Sequence, residues 1–317
     1  MNRTPDISVV MSVYNGAKYL RETLNSVLSQ RAVSIELIVV NDGSTDESGQ
    51  LLDQHAEDEP RLRVIHQQNR GLTKALISGC EAARGSYIAR QDVGDCSQSN
   101  RLFLQRRALN ADPSVVFVSS WTEFRGPGGE FLYVAKGNGL AGQPIRIISD
   151  GEVHGVIDGP TSHPSVMFRK DAYLRAGGYR AEFYYGQDWD LWYRLAEVGK
   201  FQMIESALYM ARIMPNSISM EDKVRQEKIS RLSRAALHQR LQQLAEQPML
   251  HAASKIRPVS SAVESRRRRA QALYFIGECL RRNGDHRAPH YFKESVRDSP
   301  LFVKSWLRLL QAQLSRI

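Results

Sequence analysis

Three acids of this 317-residue sequence stand where strand-like runs stop, and acids in that position suit ligand chemistry. Asp42 follows the apolar run IELIVV, and Asp92 and Asp95, separated by Val93 and Gly94, follow SYIARQ. Tyr14 and Asn15 close a third run, ISVVMSV. In an open α/β sheet the carboxyl ends of the strands border the ligand crevice, where a carboxylate accepts hydrogen bonds or holds a cation. The same residues also make ordinary polar turns. Three neighbouring strand ends that offer polar groups to one crevice favour the ligand reading.

The elements that position these residues alternate. Strands are expected at ISVVMSV (7–13), IELIVV (35–40), LRVIHQ (62–67) and SYIARQ (86–91). Between them, AKYLRETLNSVLSQ carries Leu20, Leu24, Val27 and Leu28 on one helical stripe. DESGQLLDQHAED enters a helix through Ser44, Thr45 and Asp46, which are good N-caps, and GLTKALISGCEAARG forms a helix closed by Gly85. Strands alternating with helices imply a right-handed, mostly parallel sheet. No GxGxxG follows the first strand, so a dinucleotide-binding reading lacks its phosphate turn. Beyond residue 113, VVFVSSW (115–121) and SVMFR (165–169) read as strands, and DAYLRAGGY and WDLWYRLAEVG as helices. The Gly-rich stretch 126–160 takes no assignment. From about residue 221 the pattern is helical, including one tetratricopeptide-like hairpin and a following helix, too little for a repeat array.

Composition sets outer bounds. The 42% hydrophobic content supports a core and argues against disorder. No apolar run reaches the roughly 20 residues that cross a bilayer, and the N-terminus lacks the shape of a signal peptide. Cys80, Cys96 and Cys279 are odd in number and form no CxxC pair, which fits free thiols in a reducing cytoplasm. Residues 221–317 hold 20 Lys and Arg against 9 Asp and Glu, a net of +11. The whole chain is +9, which leaves residues 1–220 at −2. A basic C-terminal region suggests an anionic partner, a membrane surface or a nucleic acid.

The segments SVVMSVYNG, LIVVNDGSTD, NRGLTKAL, GSYIARQDVGD, HPSVMFRK and GQDWDLWYRLAEVG, in this order and spacing, resemble the family 2 nucleotide-sugar glycosyltransferases. The resemblance covers roughly residues 5–220 and implies a GT-A, Rossmann-like sheet flanked by helices, followed here by a helical C-terminal appendage. It divides the chain into a transferase domain, 1–220, and a basic helical region, 221–317. Within the first, a nucleotide-binding half spans about 1–112 and an acceptor half about 113–220.

The same resemblance implies the roles. Asp42 would bind the nucleobase, with Tyr14 and Asn15 lining the pocket; a carboxylate accepts from an imide N–H and a tyrosine ring stacks on a base. Lys74 is brought toward the nucleotide, or is equally a solvated helix charge. Asp92 would meet the ribose. The family's D-x-D-D motif reads here Asp92-Val93-Gly94-Asp95, so Gly94 replaces the usual metal ligand. A shifted loop would let Asp92 and Asp95 hold Mg²⁺ or Mn²⁺, since hard cations take oxygen ligands. In the late loop YMARIMPNSIS, Met214 stands where the family often has a histidine, with Arg212 two residues before. Arg90 and Arg212 are candidates for the missing positive charge on the diphosphate, although Arg90 reads more readily as an ordinary surface arginine. Asp188 matches the catalytic base of an inverting transfer, and Asp190 is its rival. His163 reads as structural, Trp189 and Trp192 as core, and Arg266–Arg269 as a solvated face or, more sharply, a membrane contact.

These implications describe an inverting transferase moving a sugar from a nucleotide donor, UDP-linked first, to a saccharide or lipid-linked acceptor. Bacterial surface polysaccharide or lipopolysaccharide assembly is the expected setting, in the cytoplasm and peripheral at the inner face of the plasma membrane. No Q-x-x-R-W signature argues for processive synthesis. The rivals are a non-catalytic sugar-nucleotide-binding scaffold, suggested by the altered metal motif, and a nucleic-acid binder, which leaves the strand-end acids unexplained.

Overall fold

A computed structural model describes residues 4–137, 146–147, 153–154, 159–215, 223–257 and 262–314. Most of the stretch 138–158 therefore lies outside the described residues, as does the part of the late loop after Pro215. The chain forms two compact units. The first comprises residues 1–122, 135–210 and 228–256, and the second 123–134, 211–227 and 257–317.

The first unit is built on β1 (Ile7–Val13), β2 (Ile35–Asp42), β3 (Leu62–Gln67) and β4 (Tyr87–Asp92). These pair in parallel, with β1 between β2 and β4 and β3 beyond β2. β1 and β2 are buried almost throughout, which is why they read in sequence as continuous apolar runs. Alternate residues serve opposite faces. Val9, Met11 and Val13 pack with Leu20, Leu24 and Val27 of α1 (Ala17–Leu28), while Val10 and Ile38 pack with Leu76 and Cys80 of α3 (Leu72–Glu81). Each such side chain, fully buried, contributes about 1.5–3 kcal/mol.

Past β4 the sheet turns antiparallel. Its order runs β3-β2-β1-β4-β10-β6-β11-β5, with β10 (Met167–Arg169) between β4 and β6 (Val115–Arg125). β11 (Lys200–Arg212) pairs with the two-residue β5 (Cys96–Ser97). Residues 209–212, expected in a loop, instead close β11. The short β7 (Phe131–Ala135) pairs with β6, and β8 (Arg146–Ile147) pairs with β9 (Val153–His154). α6 (Gln187–Val198) lays Leu191, Trp192 and Leu195 on the face shared with α3, joined by Phe117 and Phe168.

Two local expectations are corrected. α2 (Ser48–Asp58) has Glu47 at its N-cap position with no side-chain cap, because the Asp46 carboxylate accepts from Ala17 N–H as well as Ser48 N–H and so ties two loops together. α3 stops at Glu81, not at Gly85. Gly85 serves packing: a Cβ there would lie 2.7 Å from the backbone nitrogen of Ser8.

Of the later helices, α7 (Lys223–Leu241) and α8 (Gln247–Ser254) contribute Ile229, Leu250 and Ala253 to a cluster around Phe183 and Tyr185 in the first unit. The second unit packs α9 (Ala262–Arg282), α10 (Ala288–Asp298) and α11 (Val303–Leu314) around Leu273, Ile276, Leu280 and Phe292.

Candidate functional site

The carboxyl end of β4 is organised by two fully buried arginines. Arg90 donates from Nη1 to Val10 O (2.6 Å) and Gln91 O (3.2 Å), and from Nη2 to Asp92 Oδ1 (2.7 Å). It is not a surface arginine, which overturns the reading its sequence favoured. Burial works against its charge, but Asp92 and the neighbouring Tyr179 hold its pKa above the ordinary value. Its Nε has no hydrogen-bond partner among the described residues.

Arg101, on α4 (Arg101–Ala111), donates to Gln91 Oε1 (3.2 Å), Ser97 Oγ (2.8 Å), Arg90 O (3.0 Å) and Pro164 O (2.8 Å). Its guanidinium lies 4.7 Å from the ring centre of Tyr209. Burial lowers its pKa to about 10. The sequence did not single out Arg101, although Leu102, Gln105 and Leu109 at helical spacing put its partner Gln105 on the inward face.

The loop after β4 is fixed from behind. Tyr209 Oη donates to Asp95 Oδ2 (2.9 Å) and accepts from Asp92 N–H (3.1 Å). Thr23 Oγ1 accepts from Gly94 N–H (3.0 Å) and donates to Asp95 O (3.0 Å). Gly94 has φ +95°, a conformation that disfavours a side chain, but a Cβ there would meet nothing nearer than 3.9 Å. Asp95 is thus buried and turned to Tyr209, whereas Asp92 stays partly exposed with one carboxylate oxygen outside the Arg90 pair.

Asp188 lies in the first turn of α6, behind Gly186 at φ +63°. It keeps some surface open, yet the dense packing around it desolvates its carboxyl and raises its pKa to about 6. The Trp189 N–H, 2.9 Å from Oδ1, opposes that shift, Asp92 adds to it, and Arg90 weakly opposes it. Asp188, Asp92 and Arg90 therefore share one electrostatic neighbourhood. His163 and Tyr179 complete it, with His163 Nε2 2.8 Å from Tyr179 Oη. Burial, with Arg90 nearby, holds the His163 pKa well below the usual imidazole value. Asp190 is elsewhere: it is buried against Arg194 (2.5 Å) and Arg180 (3.7 Å).

The β2 end is arranged differently. Asp42 is buried and accepts from Gln67 Nε2 (2.7 Å), Arg70 N–H (2.9 Å) and Gly71 N–H (2.8 Å). Asn15, at φ +53°, accepts through Oδ1 from Thr45 N–H (2.8 Å) and Asp46 N–H (3.3 Å). The Tyr14 ring is half exposed beside it in sequence, and Lys74 is solvent-exposed on α3. Arg212 and Met214 belong to the second unit, where Met214 lines a groove with Pro127, Leu273 and Tyr291.

Among the described residues, no three His, Cys, Asp or Glu side chains converge on a point that could hold a metal. Asp92 presents a carboxylate oxygen outside its pair with Arg90. That fits a cation such as Mg²⁺, which keeps waters and takes one or two carboxylates plus substrate phosphates.

Comparison with known proteins bears on the family and the fold. The profile described as glycosyl transferase family 2 matches residues 8–171. A putative glycosyltransferase of Bacillus subtilis, EpsH, is 36% identical over 125 residues, 39% of this chain and 36% of that one. The chain thus spans about a third of the length of such curated relatives. The S. aureus TarS 1–349 crystal structure in complex with UDP-GlcNAc matches with TM-score 0.59 at 16% identity, covering 97% of this chain and 89% of that one. The mannosyltransferase PcManGT of Pyrobaculum calidifontis, in complex with GDP-Man and Mn²⁺, matches with TM-score 0.52 at 16% identity, covering 99% and 86%. These structures establish the likeness of fold.

Proposed function

Since the chain belongs to glycosyl transferase family 2, we propose that it transfers a sugar from a nucleotide-sugar donor to a hydroxyl of a saccharide or lipid-linked acceptor, with inversion. The observation that carries this is the single neighbourhood of Arg90, Asp92 and Asp188, in which one acid is tied to a buried cation and the other is held near pKa 6. A carboxylate with that affinity for a proton is ionised at neutral pH and is a better base than an ordinary aspartate.

In this reading the ionised Asp188 accepts the proton of the acceptor hydroxyl. The acceptor oxygen forms a bond to the anomeric carbon from the face opposite the nucleotide. The bond from that carbon to the diphosphate breaks, and its electron pair leaves with the nucleoside diphosphate. Arg90 holds Asp92 in place from behind, and Asp92 is the residue that would hold the divalent cation, with Asp95 the weaker second candidate. When bound, that cation would neutralise charge developing on the diphosphate. Asp42, through its remaining acceptor capacity, and the exposed Tyr14 ring are the candidates for the nucleobase, and Lys74 for the phosphates. UDP is the nucleotide tried first, on the likeness to the UDP-GlcNAc complex.

Residues 1–220 would carry the chemistry, with a setting in surface polysaccharide or lipopolysaccharide assembly. Residues 221–317, net +11, would hold the protein at an anionic membrane face. The test is a screen of nucleotide sugars for hydrolysis or transfer, with Mg²⁺, with Mn²⁺ and in chelator. Turnover of one donor is expected; donor binding without turnover under every condition would instead identify a sugar-nucleotide-binding scaffold.

A further inference from the structure

The second unit carries an apolar face that the transferase reading does not use. Leu301 (92% exposed), Val303 (64%), Trp306 (47%), Leu307 (55%) and Leu310 (54%) lie within ten residues of one another. On α11, Val303, Trp306, Leu307 and Leu310 recur at i, i+3, i+4 and i+7, a single helical stripe. The other face of α11 is docked. Ser305 is buried with its Oγ 2.7 Å from Ser295 Oγ of α10, Leu309 packs on the unit's core, and Arg308 pairs with Glu278 at 2.9 Å. Trp306 Nε1 donates to Pro300 O (2.9 Å), which fixes the ring on the outward side. The stripe is therefore the presented face of an ordered helix.

A basic concavity adjoins it. Arg266, Arg269, Arg297, Ser265 and Asp298 line a space of about 550 Å³ at the start of α9 and the end of α10. Asp298 pairs with Arg269 at 2.6 Å and Arg297 pairs with Glu294, so Arg266 supplies the positive excess of the lining. Leu301 follows Asp298 by three residues, which keeps patch and concavity within roughly 10 Å along the chain.

We propose that this face docks on an anionic phospholipid surface. The α11 stripe enters the interface with the helix lying in its plane, and the arginine concavity meets lipid phosphates. Charge selects this occupant: a second copy of the same face would bring like charges together, whereas anionic headgroups complement residues 257–317 of the second unit, net +8 with 13 Lys and Arg against 5 Asp and Glu. Trp and Leu on one face with Lys304 beside them suit an interfacial helix. No helix among the described residues is long and apolar enough to cross a membrane, so the helix lies on the surface. This inference rests on the membrane attraction proposed above and not on the transferase chemistry.

The test is sedimentation of the full chain with vesicles of phosphatidylcholine alone, or of phosphatidylcholine mixed with phosphatidylglycerol, at low and high salt. Binding is expected only to the mixed vesicles, with a fraction surviving high salt because apolar insertion is not screened. Tryptophan fluorescence should shift to the blue on binding, and Trp306→Phe should remove that shift. Leu307→Gln with Leu310→Gln should lower partitioning about tenfold at high salt. Both leucines are exposed, so helix content by circular dichroism and donor turnover should be unchanged. Binding abolished by salt and indifferent to the leucine pair would overturn the inference while sparing the electrostatic attraction. No binding to mixed vesicles would overturn both, leaving the donor screen to judge the transferase reading separately. A concentration-dependent dimer, dissolved by the leucine pair and without vesicle binding, would assign the face to a second copy.

Discussion

At the end of β2, Asp42 is buried under two backbone amides and the Gln67 side chain; at the end of β4, Asp92 has one arginine and an open oxygen. The donors around Asp42 come from the loop 67–71, so the carboxylate's first effect is to shape that loop ahead of α3. The partner of Asp92 is a buried cation, and a second acid, Asp188, has its proton affinity raised chiefly by burial, with Asp92 adding to it. Two aspartates that each end a parallel strand, on either side of β1, are thus differently equipped. Backbone amides make a carboxylate an organiser, and a single cation leaves it available to a ligand.

The largest expected effect separates the acids most sharply. Asp188→Asn should lower turnover by at least about 100-fold, with donor affinity nearly unchanged in a binding titration. Wild-type turnover should fall as pH drops through about 6, where Asp188 takes up its proton, and the variant should lack that limb. Stability should move the other way. The folded carboxyl holds its proton more tightly than an unfolded aspartate, with its ordinary pKa of about 4, so its contribution to stability is full below pH 4 and is lost as pH rises through about 6. Asp188→Asn should therefore melt above wild type at neutral pH and match it at pH 4 or below, as read by thermal denaturation.

Next in size is Asp92→Asn, for which about a 10- to 100-fold loss of turnover is expected. Removing its negative charge also relieves Asp188, so the residual activity should show its acid limb at lower pH. An unmoved limb would separate the two acids and break the comparison. Asp42→Asn should cost about 1–3 kcal/mol of stability in denaturant titration, because the new NH₂ would face a donor in either orientation, the Gly71 N–H or the Arg70 N–H with Gln67 Nε2. It should raise KM for the donor more than it lowers kcat. A larger effect on kcat would place Asp42 in the chemistry after all.

The smallest effect concerns Asp95. Tyr209→Phe removes its hydrogen bond at a cost of about 1 kcal/mol. If Asp95 can ligate the cation, loss of its bond to Tyr209 should lower the Mn²⁺ concentration that gives half-saturation. If it only anchors the loop, metal affinity should weaken.

The same contrast explains what was legible. β1 and β2 were readable because strands buried on both faces leave unbroken apolar runs, and β3 and β4 because they alternate with helices. Antiparallel β10 was read at 165–169 and holds three of those residues, whereas β11 mixes exposed and buried positions and leaves no clear period, so residues 209–212 were assigned to a loop. Asp92 and Asp188 could be singled out from local motifs. The burial of Arg90 could not, because its partners include Val10, 80 residues away, and the same holds for Tyr209, which meets Asp95 across 114 residues. Arg101, Tyr179 and His163 gain their place only through tertiary contact.

The insertion of β10 between β4 and β6 also sets an order of events during synthesis. The free edge of β4 receives its neighbour only when Met167 emerges, roughly 75 residues after Asp92 has left the ribosome. At about 5–20 residues per second that is a wait of roughly 4–15 s. Through that interval the edge of β4 is bare, and Arg90 and Arg101 lack the carbonyls of residues 164 and 166 that later receive the Arg90 backbone N–H and the Arg101 guanidinium. The nascent chain passes through a stage with an open strand edge, an Arg90 backbone N–H still awaiting its carbonyl and an Arg101 guanidinium short of two of its acceptors, and that stage is where chaperone dependence and aggregation should concentrate.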